Sequence, residues 1–299
     1  MCNTMKVLLA EYAAAHDPVL AHEGKAMLGV LKASFERCGY KTEIPGEGDF
    51  AAGIERLAPD CDMGLVIAPD HLLSRFTMIL EQHTHNLGCG FMTVALCANK
   101  VQTQKILRQH NIPIPGEPGS GKKVIKPIKG CGAQGVRLSM GTAGDNEFAE
   151  RYIEGEHYSV SIIPNRIIGD ACLYYSGNPP LVLAVNRQKI DVGADGAFRY
   201  LGGETPVHHP REEDIISTAK KAVEVLGCQG YCGVDIVLAD QVYVVDVNPR
   251  ITTSLVGIAA CMDEEIADLL VAASKGEGLN EVHFHGSVGY DTNGTVTPV

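Results

Sequence analysis

The chain has 299 residues, of which 45% are apolar and 20% charged, and its formal net charge is −11 at pH 7. This composition is typical of a globular protein, and the length exceeds that of most single-core domains, so we expect about two domains. The acidic excess argues against nucleic acid as a partner, because phosphate binding requires a basic surface. A local basic pocket for a nucleotide is not excluded.

Ten cysteines are scattered along the chain, and only Cys228 and Cys232 lie close together in sequence. No second pair accompanies them to complete a tetrahedral zinc site, so we expect buried free thiols, which suit a reducing cytosol. The apolar run at residues 7–10 is too short for a signal sequence or a membrane span. We therefore expect a cytoplasmic protein without a membrane partner. The sequence does not decide between a monomer and a homodimer.

The first third of the chain alternates between strands and helices. Apolar patterning predicts strands at 6–10, 41–44 and 64–68 and helices at 23–38 and 50–57. This order is typical of a parallel sheet, so residues 1–95 are predicted to form an N-terminal α/β domain. The connection after the first strand has no glycine, which argues against a dinucleotide cradle there.

Two further units are predicted beyond residue 95. Residues 96–154 are expected to form a small lid subdomain, with a helix at 99–110, strands at 123–127 and 136–140, and a helix at 145–152. Residues 155–299 are expected to form a core subdomain, with strands between 157 and 203, helices at 212–226 and 263–274, and a hairpin between the two helices. The tail at 276–299 has weak periodicity and is predicted to be peripheral.

Two segments are rich in glycine. Residues 116–123 resemble a Walker A loop, but Lys123 replaces the expected Ser or Thr and a strand follows, so we reject that interpretation. Residues 130–135 also lie between strands and predict a flap, in which the backbone at Gly130 and Gly132 can approach phosphate oxygens. Lys126 stands at the mouth of this flap, where the following proline holds it extended. A plain glycine hairpin is the alternative.

The hairpin carries the strongest functional signal. Two strand-like runs, 231–238 and 242–247, flank a short polar break. A turn centred on that break places Asp235 opposite Asp246, and Asn248 follows on the same face.

An acidic pair in an otherwise apolar hairpin indicates a cation site. Like charges that face each other destabilise a sheet, so Asp235 and Asp246 are expected to bind a cation together with Asn248. Ligands that are all oxygen favour Mg²⁺ or a similar hard ion. Arg250 adds a guanidinium group, whose fixed N–H donors suit a phosphate held by this metal. A solvated hairpin with two unrelated acids is the alternative.

Weaker signals lie elsewhere. Lys100 begins a predicted helix and is a candidate phosphate ligand, although a surface lysine is the simpler interpretation. Between Glu150 and Glu156, carboxylates stand where the chain is predicted to pass from a helix into a strand. A carboxylate there can bind ribose hydroxyls, and an exposed backbone edge can bind adenine. A charged turn without a ligand is the alternative.

In this order, the motifs resemble those of the ATP-grasp superfamily over nearly the whole chain. They are Asn99-Lys100, Lys126-Pro-x-x-Gly130-x-Gly132, Glu150-x-Tyr-Ile-Glu-Gly-Glu156, Asp235 and Asp246-x-Asn248-Pro-Arg250. The resemblance implies an ATP-grasp fold of mixed α/β and α+β class, in which an N-terminal parallel α/β domain and two α+β subdomains enclose ATP. It implies Mg²⁺ or Mn²⁺ on Asp235, Asp246 and Asn248, phosphates on Lys100 and Lys126 beneath Gly130 and Gly132, and adenosine on Glu150, Tyr152, Ile153 and Glu156, with Glu154 competing for the ribose.

A second set of motifs resembles the tyramine–L-glutamate ligases. It comprises Glu11-Tyr12, Glu23-Gly-Lys-Ala-Met27, the segments 152–160 and 248–254, and Asn186-Arg-Gln188. This resemblance implies an ATP-dependent carboxylate–amine ligase that forms an acylphosphate and then an amide, joining L-glutamate to tyramine to give γ-glutamyltyramine in methanofuran biosynthesis. Arg250 is then the catalytic residue. Two alternatives stay open: a ligase for another amine or amino acid, and an inactive nucleotide-binding module.

Glutamate would bring a second carboxylate into a cleft that already holds a triphosphate, and this group needs a cationic partner. Arg187 and Lys189 lie on one face of a predicted strand, because they are two residues apart. We expect them to anchor the substrate if that face lines the cleft. The alternative is an exposed strand that carries two basic residues.

Overall fold

The computed structural model describes residues 4–130, 133–165 and 178–299. Within these ranges the strands form three sheets, and each sheet lies inside one of the three predicted units. The boundaries of these units remain predictions. No helix in the described ranges combines the length and the apolar character needed to cross a bilayer.

The N-terminal sheet is parallel, and its predicted strands and helices are confirmed. Its strands are β1 (Lys6–Glu11), β2 (Lys41–Glu43), β3 (Met63–Ile67) and β4 (His85–Asn86), in the order β2-β1-β3-β4; its helices are α1 (Ala13–His16), α2 (Ala21–Arg37), α3 (Phe50–Leu57) and α4 (Asp70–Glu81). Val7 and Leu9 of β1 cluster with apolar residues of α2, whereas Leu8 and Ala10 cluster with those of α3 and α4. Burial on both faces explains the unbroken apolar run in this strand.

Helices α5 (Phe91–Cys97) and α6 (Lys100–Gln109) lead into a three-stranded antiparallel sheet, the lid sheet. Its central strand β5 (Lys123–Pro127) lies between β6 (Arg137–Ser139) and β7 (Glu147–Arg151). The predicted helix at 145–152 is therefore wrong. Pairing with β5 overrides local helix propensity there, and Arg137 holds the start of β7 through two hydrogen bonds to Glu147 (2.5 and 2.8 Å).

The third sheet is antiparallel and forms the core of the second half. Its strands are β8 (Glu156–Ile163), β9 (Leu181–Val192), β10 (Phe198–Thr205), β11 (Cys232–Leu238), β12 (Val242–Asn248), β13 (Val288–Tyr290) and β14 (Val296–Pro298), in the order β12-β11-β8-β9-β10-β13-β14. Helices α7 (Glu212–Leu226), α8 (Ser254–Cys261) and α9 (Ile266–Ser274) pack around it.

This sheet has two chemically different faces. On one face, Val160 and Ile236 cluster with apolar residues of α7, and we call it the α7 face. On the other, Ser159 and Asp235 line a cleft, and we call it the cleft face. Because side chains alternate along a strand, neighbouring residues belong to opposite faces.

The C-terminal tail was predicted to be peripheral, and this is wrong at β13, although most other residues of the tail are exposed or half-buried. Strand β13 pairs with β10 and extends the sheet, and Tyr290 is only 4% exposed. A side chain at Gly257 would overlap the Tyr290 ring, since an added Cβ would lie 2.6 Å from its Cδ1. Tyr290 is therefore part of the core although the tail has little periodicity, because its contacts are made with distant residues.

We expect Tyr290→Ala to lower the free energy of unfolding by about 3 kcal/mol, because it removes a buried ring and leaves a cavity. Urea unfolding followed by circular dichroism measures this change. The control is Val299→Ala, in which the replaced side chain is 76% exposed and little change is expected. A loss below about 1 kcal/mol for Tyr290→Ala would mean that the tail is peripheral after all.

Candidate functional site

All three sheets contribute to a cleft of about 230 Å³. The lining carries charged groups from each part of the chain: Glu11 and Glu23 from the N-terminal domain, Lys126 and Glu150 from the lid sheet, and Asp235 and Asp246 from the third sheet. A cavity that combines apolar walls with a few convergent charged groups is the usual form of a ligand site.

Strands β11 and β12 place Asp235 directly opposite Asp246, and this prediction is confirmed. The turn differs from the predicted one, because Leu238 pairs with Val242 and three residues form the connection. A one-residue bulge at Val245 then shifts the register so that the two carboxylates meet. The predicted pairing is right because this bulge compensates for the error in the turn.

The two carboxylates have different electrostatic environments. Burial, and then the nearby Asp246, raise the pKa of Asp235 to about 6. Burial acts in the same direction on Asp246, but the ammonium of Lys100 contacts it and its pKa is lowered overall. Lys100 was predicted to bind phosphate; in the structure it lies outside the cleft lining and neutralises Asp246. A phosphate role for Lys100 stays a prediction.

The amide of Asn248 and the guanidinium of Arg250 continue this network. Asn248 Nδ2 donates to Asp235 Oδ2 (3.1 Å), and Arg250 Nη2 donates to Asn248 Oδ1 (3.1 Å). Arg250 Nε also donates to Asp70 Oδ1 (3.1 Å) at the start of α4. The arginine is therefore held between the hairpin and the N-terminal domain, with its guanidinium beside the predicted metal ligands.

The donor set fits a hard divalent cation. Asp235, Asp246 and Asn248 offer carboxylate and amide oxygens, which Mg²⁺ and Mn²⁺ prefer. In the parts of the chain that the structure describes, no group of three or more His, Cys, Asp or Glu side chains is arranged to hold a metal. A cation bound here would therefore take its remaining ligands from water or from phosphate oxygens, which is the usual way in which Mg²⁺ is held.

Lys126 lies on the central strand of the lid sheet and reaches the hairpin. Its ammonium forms an ion pair with Glu150 (2.5 Å) and donates to the backbone oxygen of Val245 at the bulge (3.1 Å). Gln104 donates to the other oxygen of Glu150 (2.5 Å). The lysine is thus fixed at the cleft wall, where a positive charge can face phosphate oxygens.

The loop between the lid sheet and β8 forms another part of the lining, with Tyr152 and Ile153 beside the apolar Val237. This arrangement agrees with the predicted adenine contacts. His157 also lines the cleft, and burial together with Lys126 lowers its pKa. Sequence reasoning missed His157, although its alternation with Glu156 was visible.

Glu156 does not fit its predicted role as the ribose ligand. It lies on the α7 face. There it accepts a hydrogen bond from the Tyr158 hydroxyl (2.8 Å) and forms an ion pair with Arg187 (3.5 Å). The sequence shows that successive residues of β8 point to opposite faces, but it does not show which set points into the cleft. The prediction chose the wrong set. The competing Glu154 is exposed and is likewise outside the lining.

The predicted substrate anchors need the same correction. Arg187 and Lys189 share one face, as expected, but it is the α7 face, where Lys189 pairs with Glu204 (3.1 Å). Gln188 and Ile190 line the cleft instead, and Gln188 Nε2 donates to Asp235 Oδ1 (2.9 Å). Arg187 and Lys189 are therefore poorly placed to hold a substrate in the cleft.

The glycine flap is described only in part. Gly132 lies outside the described residues, and Gly130 is described but is not among the lining residues. Ala133 and Val136, from the same segment, do line the cleft. The flap therefore borders the cleft, while phosphate contacts by its glycines stay a prediction.

Four cysteines come together in the apolar core, which the sequence did not indicate. The neighbouring thiols of Cys232, Cys89 and Cys97, and then burial, raise the pKa of Cys228. All four are buried free thiols. The second pair, Cys89 and Cys97, is about 130 residues away from Cys228 and Cys232 in sequence, so the spacing along the chain did not reveal it. The prediction that these cysteines are buried and free is confirmed for all four.

Comparison with known proteins decides the family. Residues 97–254 match the ATP-grasp domain family. The chain belongs to the ATP-grasp family. Proteins of this family bind ATP, and the positions of Lys126, Asp235, Asp246 and Arg250 around one cleft agree with that property.

Relatives of the chain cover nearly its full length. A tyramine–L-glutamate ligase of Methanocaldococcus fervens is 31% identical over 91% of this chain and 95% of its own length. A second, from Methanocaldococcus jannaschii, is 30% identical over 91% of this chain and 90% of its own. The crystal structure of an ATP-grasp superfamily protein from Archaeoglobus fulgidus is 28% identical, with a TM-score of 0.77 over 96% of this chain and 92% of that one. The predicted resemblance and fold class are confirmed.

We expect the two aspartates to respond differently to replacement in the metal-free protein. Asp235→Asn should raise the free energy of unfolding at about pH 7 by roughly 2 kcal/mol, because a carboxyl whose pKa is raised by folding, here to about 6, loses stability as the pH rises through that value. Asp246→Asn should lower it by about 3 kcal/mol, since it leaves the buried Lys100 ammonium unpaired.

Urea unfolding without divalent metal, at about pH 7 and about pH 5, tests this pair of variants. The advantage of Asp235→Asn should shrink at the lower pH, where the wild-type carboxyl is protonated. Both variants should lose turnover, because each removes one charge from the predicted cation site. Equal stability shifts of the same sign in both variants would contradict the asymmetry.

Proposed function

We propose that this protein is an ATP-dependent carboxylate–amine ligase that joins L-glutamate to tyramine. The observation that carries the proposal is the opposed pair Asp235 and Asp246, which lines one cleft together with Lys126 and Arg250. The names of the relatives that align over most of the chain support the choice of substrates. We infer that the product serves methanofuran biosynthesis, as the resemblance seen in the sequence implies.

The reaction has two steps. The carboxylate of the acid attacks the γ-phosphorus of ATP, which forms an acylphosphate and releases ADP. The nitrogen of the amine then attacks the acyl carbon, phosphate leaves, and the amine loses a proton as the amide forms. The protein contributes mainly positioning and charge neutralisation, because phosphoryl transfer demands little covalent chemistry from it.

Arg250 has the position for the central role. Its side chain is 13% exposed and its guanidinium is oriented by Asp70 and Asn248, so it can stabilise negative charge without reorganising. It would face the transferring phosphoryl group first and the tetrahedral oxyanion second. Lys126, which contacts the hairpin at Val245, would hold phosphate oxygens as well.

A divalent cation completes this assignment. Asp235, Asp246 and Asn248 would hold Mg²⁺ or Mn²⁺, which neutralises phosphate charge when it is bound. The described chain brings Lys100 to the same carboxylates, so its ammonium would share in that neutralisation.

We expect purified protein with ATP and Mg²⁺ to release ADP only when L-glutamate is present, and to form an amide only when tyramine is added. Hydroxylamine should trap the acylphosphate as a hydroxamate without tyramine. A panel of acids and amines tests the choice of substrates, because a ligase for another amine or amino acid would prefer other members. ADP release that ignores every acid would indicate a nucleotide-binding module. Arg187→Ala is the control, with a KM for glutamate within roughly twofold of wild type, since it lies on the α7 face.

We expect Lys126→Met to raise the KM for ATP by about 10- to 100-fold, because a charge-assisted contact to phosphate is lost. The variant also leaves the buried Glu150 without its cation, so the double variant Lys126→Met/Glu150→Gln separates folding from binding. It should recover stability but not affinity for ATP. Lys189→Met, on the α7 face, is the matched control. An unchanged KM for ATP in both Lys126 variants would exclude a phosphate role for Lys126.

A further inference from the structure

The end of the cleft formed by the N-terminal domain has its own chemical character. Two carboxylates, Glu11 and Glu23, line it together with the apolar side chains of Ala13, Leu20 and Met27. None of these residues belongs to the nucleotide or metal assignments made above. Glu11 ends β1 and is 5% exposed, and Glu23 lies in the first turn of α2.

Both carboxylates are held in fixed positions. Glu11 accepts hydrogen bonds from the backbone N–H groups of Ala13 (3.0 Å) and Ala14 (2.6 Å), and Glu23 accepts one from the Thr253 hydroxyl (2.8 Å). A side chain at Gly24 would displace the Glu11 carboxylate, because an added Cβ would lie 2.5 Å from its Oε2. The glycine therefore lets the Glu11 carboxylate lie against α2 at the cleft wall.

Within the described residues, no ion pair balances the negative charge at this end. Neither Glu11 nor Glu23 pairs there with a lysine or arginine. Arg250 lowers the pKa of both glutamates by its charge, but its guanidinium is already paired with Asp70 (3.1 Å). Burial is the largest cause of the raised pKa of both glutamates. A buried carboxylate without a cation is costly, and a bound cation would relieve that cost.

We propose that Glu11 and Glu23 form the subsite for the primary amine that the ligase consumes, binding it as the ammonium ion while Ala13, Leu20 and Met27 contact its hydrocarbon part. The inference rests on the proposed function and assigns one substrate to one end of the cleft. A triphosphate is repelled from this end by the two carboxylates, and a carboxylate substrate is disfavoured for the same reason. A primary ammonium offers three N–H donors to these carboxylate oxygens.

A structural role for the same two residues makes a different prediction. Glu11 also caps the backbone of α1, and Glu23 ties α2 to the loop that contains Thr253. Glutamine keeps the size of the side chain and one oxygen acceptor but removes the charge. Glu11→Gln and Glu23→Gln should therefore retain the fold and lose ammonium binding, whereas a purely structural role depends little on the charge.

The decisive experiment measures the KM for each substrate in these variants, in steady-state assays with ATP, L-glutamate and tyramine. We expect each variant to raise the KM for tyramine by about 10- to 100-fold, with the KM for glutamate and for ATP nearly unchanged. Gly24→Ala should act in the same direction, because it displaces the Glu11 carboxylate without removing its charge. Glu36→Gln, at an exposed position of the same helix, is the matched control.

Two further measurements separate this inference from the proposed function. Glutamate-dependent hydroxamate formation uses hydroxylamine, which is uncharged at neutral pH, so it reports the activation step without the ammonium subsite. Its absence in wild type would refute the proposed function itself. Thermal stabilisation by tyramine, compared with that by its alcohol analogue tyrosol, reports binding without turnover. We expect wild type to prefer the amine and the Glu11→Gln variant to lose that preference.

Other outcomes would overturn the assignment. A rise in the KM for glutamate alone would mean that the carboxylates bind the α-ammonium of the amino acid. An unchanged KM for all three substrates in folded Glu11→Gln and Glu23→Gln variants would leave both residues with structural roles only. Equal stabilisation of wild type by tyramine and tyrosol would show that no charge is recognised.

Discussion

The repulsion between Asp235 and Asp246 is the constraint on which the arrangement of the cleft depends. Two carboxylates that face each other in an apolar sheet require positive charge close by, and the chain supplies it from outside the hairpin. Lys100 comes from the start of α6 and contacts Asp246. Arg250 reaches back to Asp70 at the start of α4, so the same charges join the hairpin to the N-terminal domain. Neutralising the acidic pair therefore also fixes the positions of neighbouring elements.

The phase of each strand decides which side chains can take part in chemistry. Along β8 and β9 one face packs towards α7 and the other lines the cleft, so a difference of one residue separates a functional position from a structural one. His157 and Gln188 lie in the cleft, while their neighbours Glu156 and Arg187 pair with each other on the α7 face. Composition gives no indication of this choice, because charged residues occupy both faces near the strand ends.

The sequence predicted best those strands and helices whose structure is decided by residues within the same segment. Strand β5 and helix α7 were predicted to the residue, because their periodicity and their flanking breakers lie within the segment itself. The predicted helix at 145–152 was wrong, and the tail is not peripheral at β13, because pairing with distant strands decides the structure of both segments. The four-cysteine cluster was invisible for the same reason. The pairing of Asp235 with Asp246 was predicted correctly only because the bulge at Val245 offset the error in the turn.

The distribution of charge along the cleft gives a direction to the proposed reaction. Lys126 contacts the hairpin, Arg250 joins the hairpin to the N-terminal domain, and Glu11 and Glu23 line the cleft from that domain. The apolar Val237 and Ile153 also line the cleft. A nucleotide placed with its base against the apolar walls brings its phosphates to the cations and keeps them from the two glutamates, whereas the reverse orientation would set phosphates against carboxylates. The γ-phosphate would then lie between the adenosine and the acidic end. An amine bound at that end approaches the activated acyl carbon from the side opposite the base, so the same charges that orient ATP also order the two substrates along the cleft.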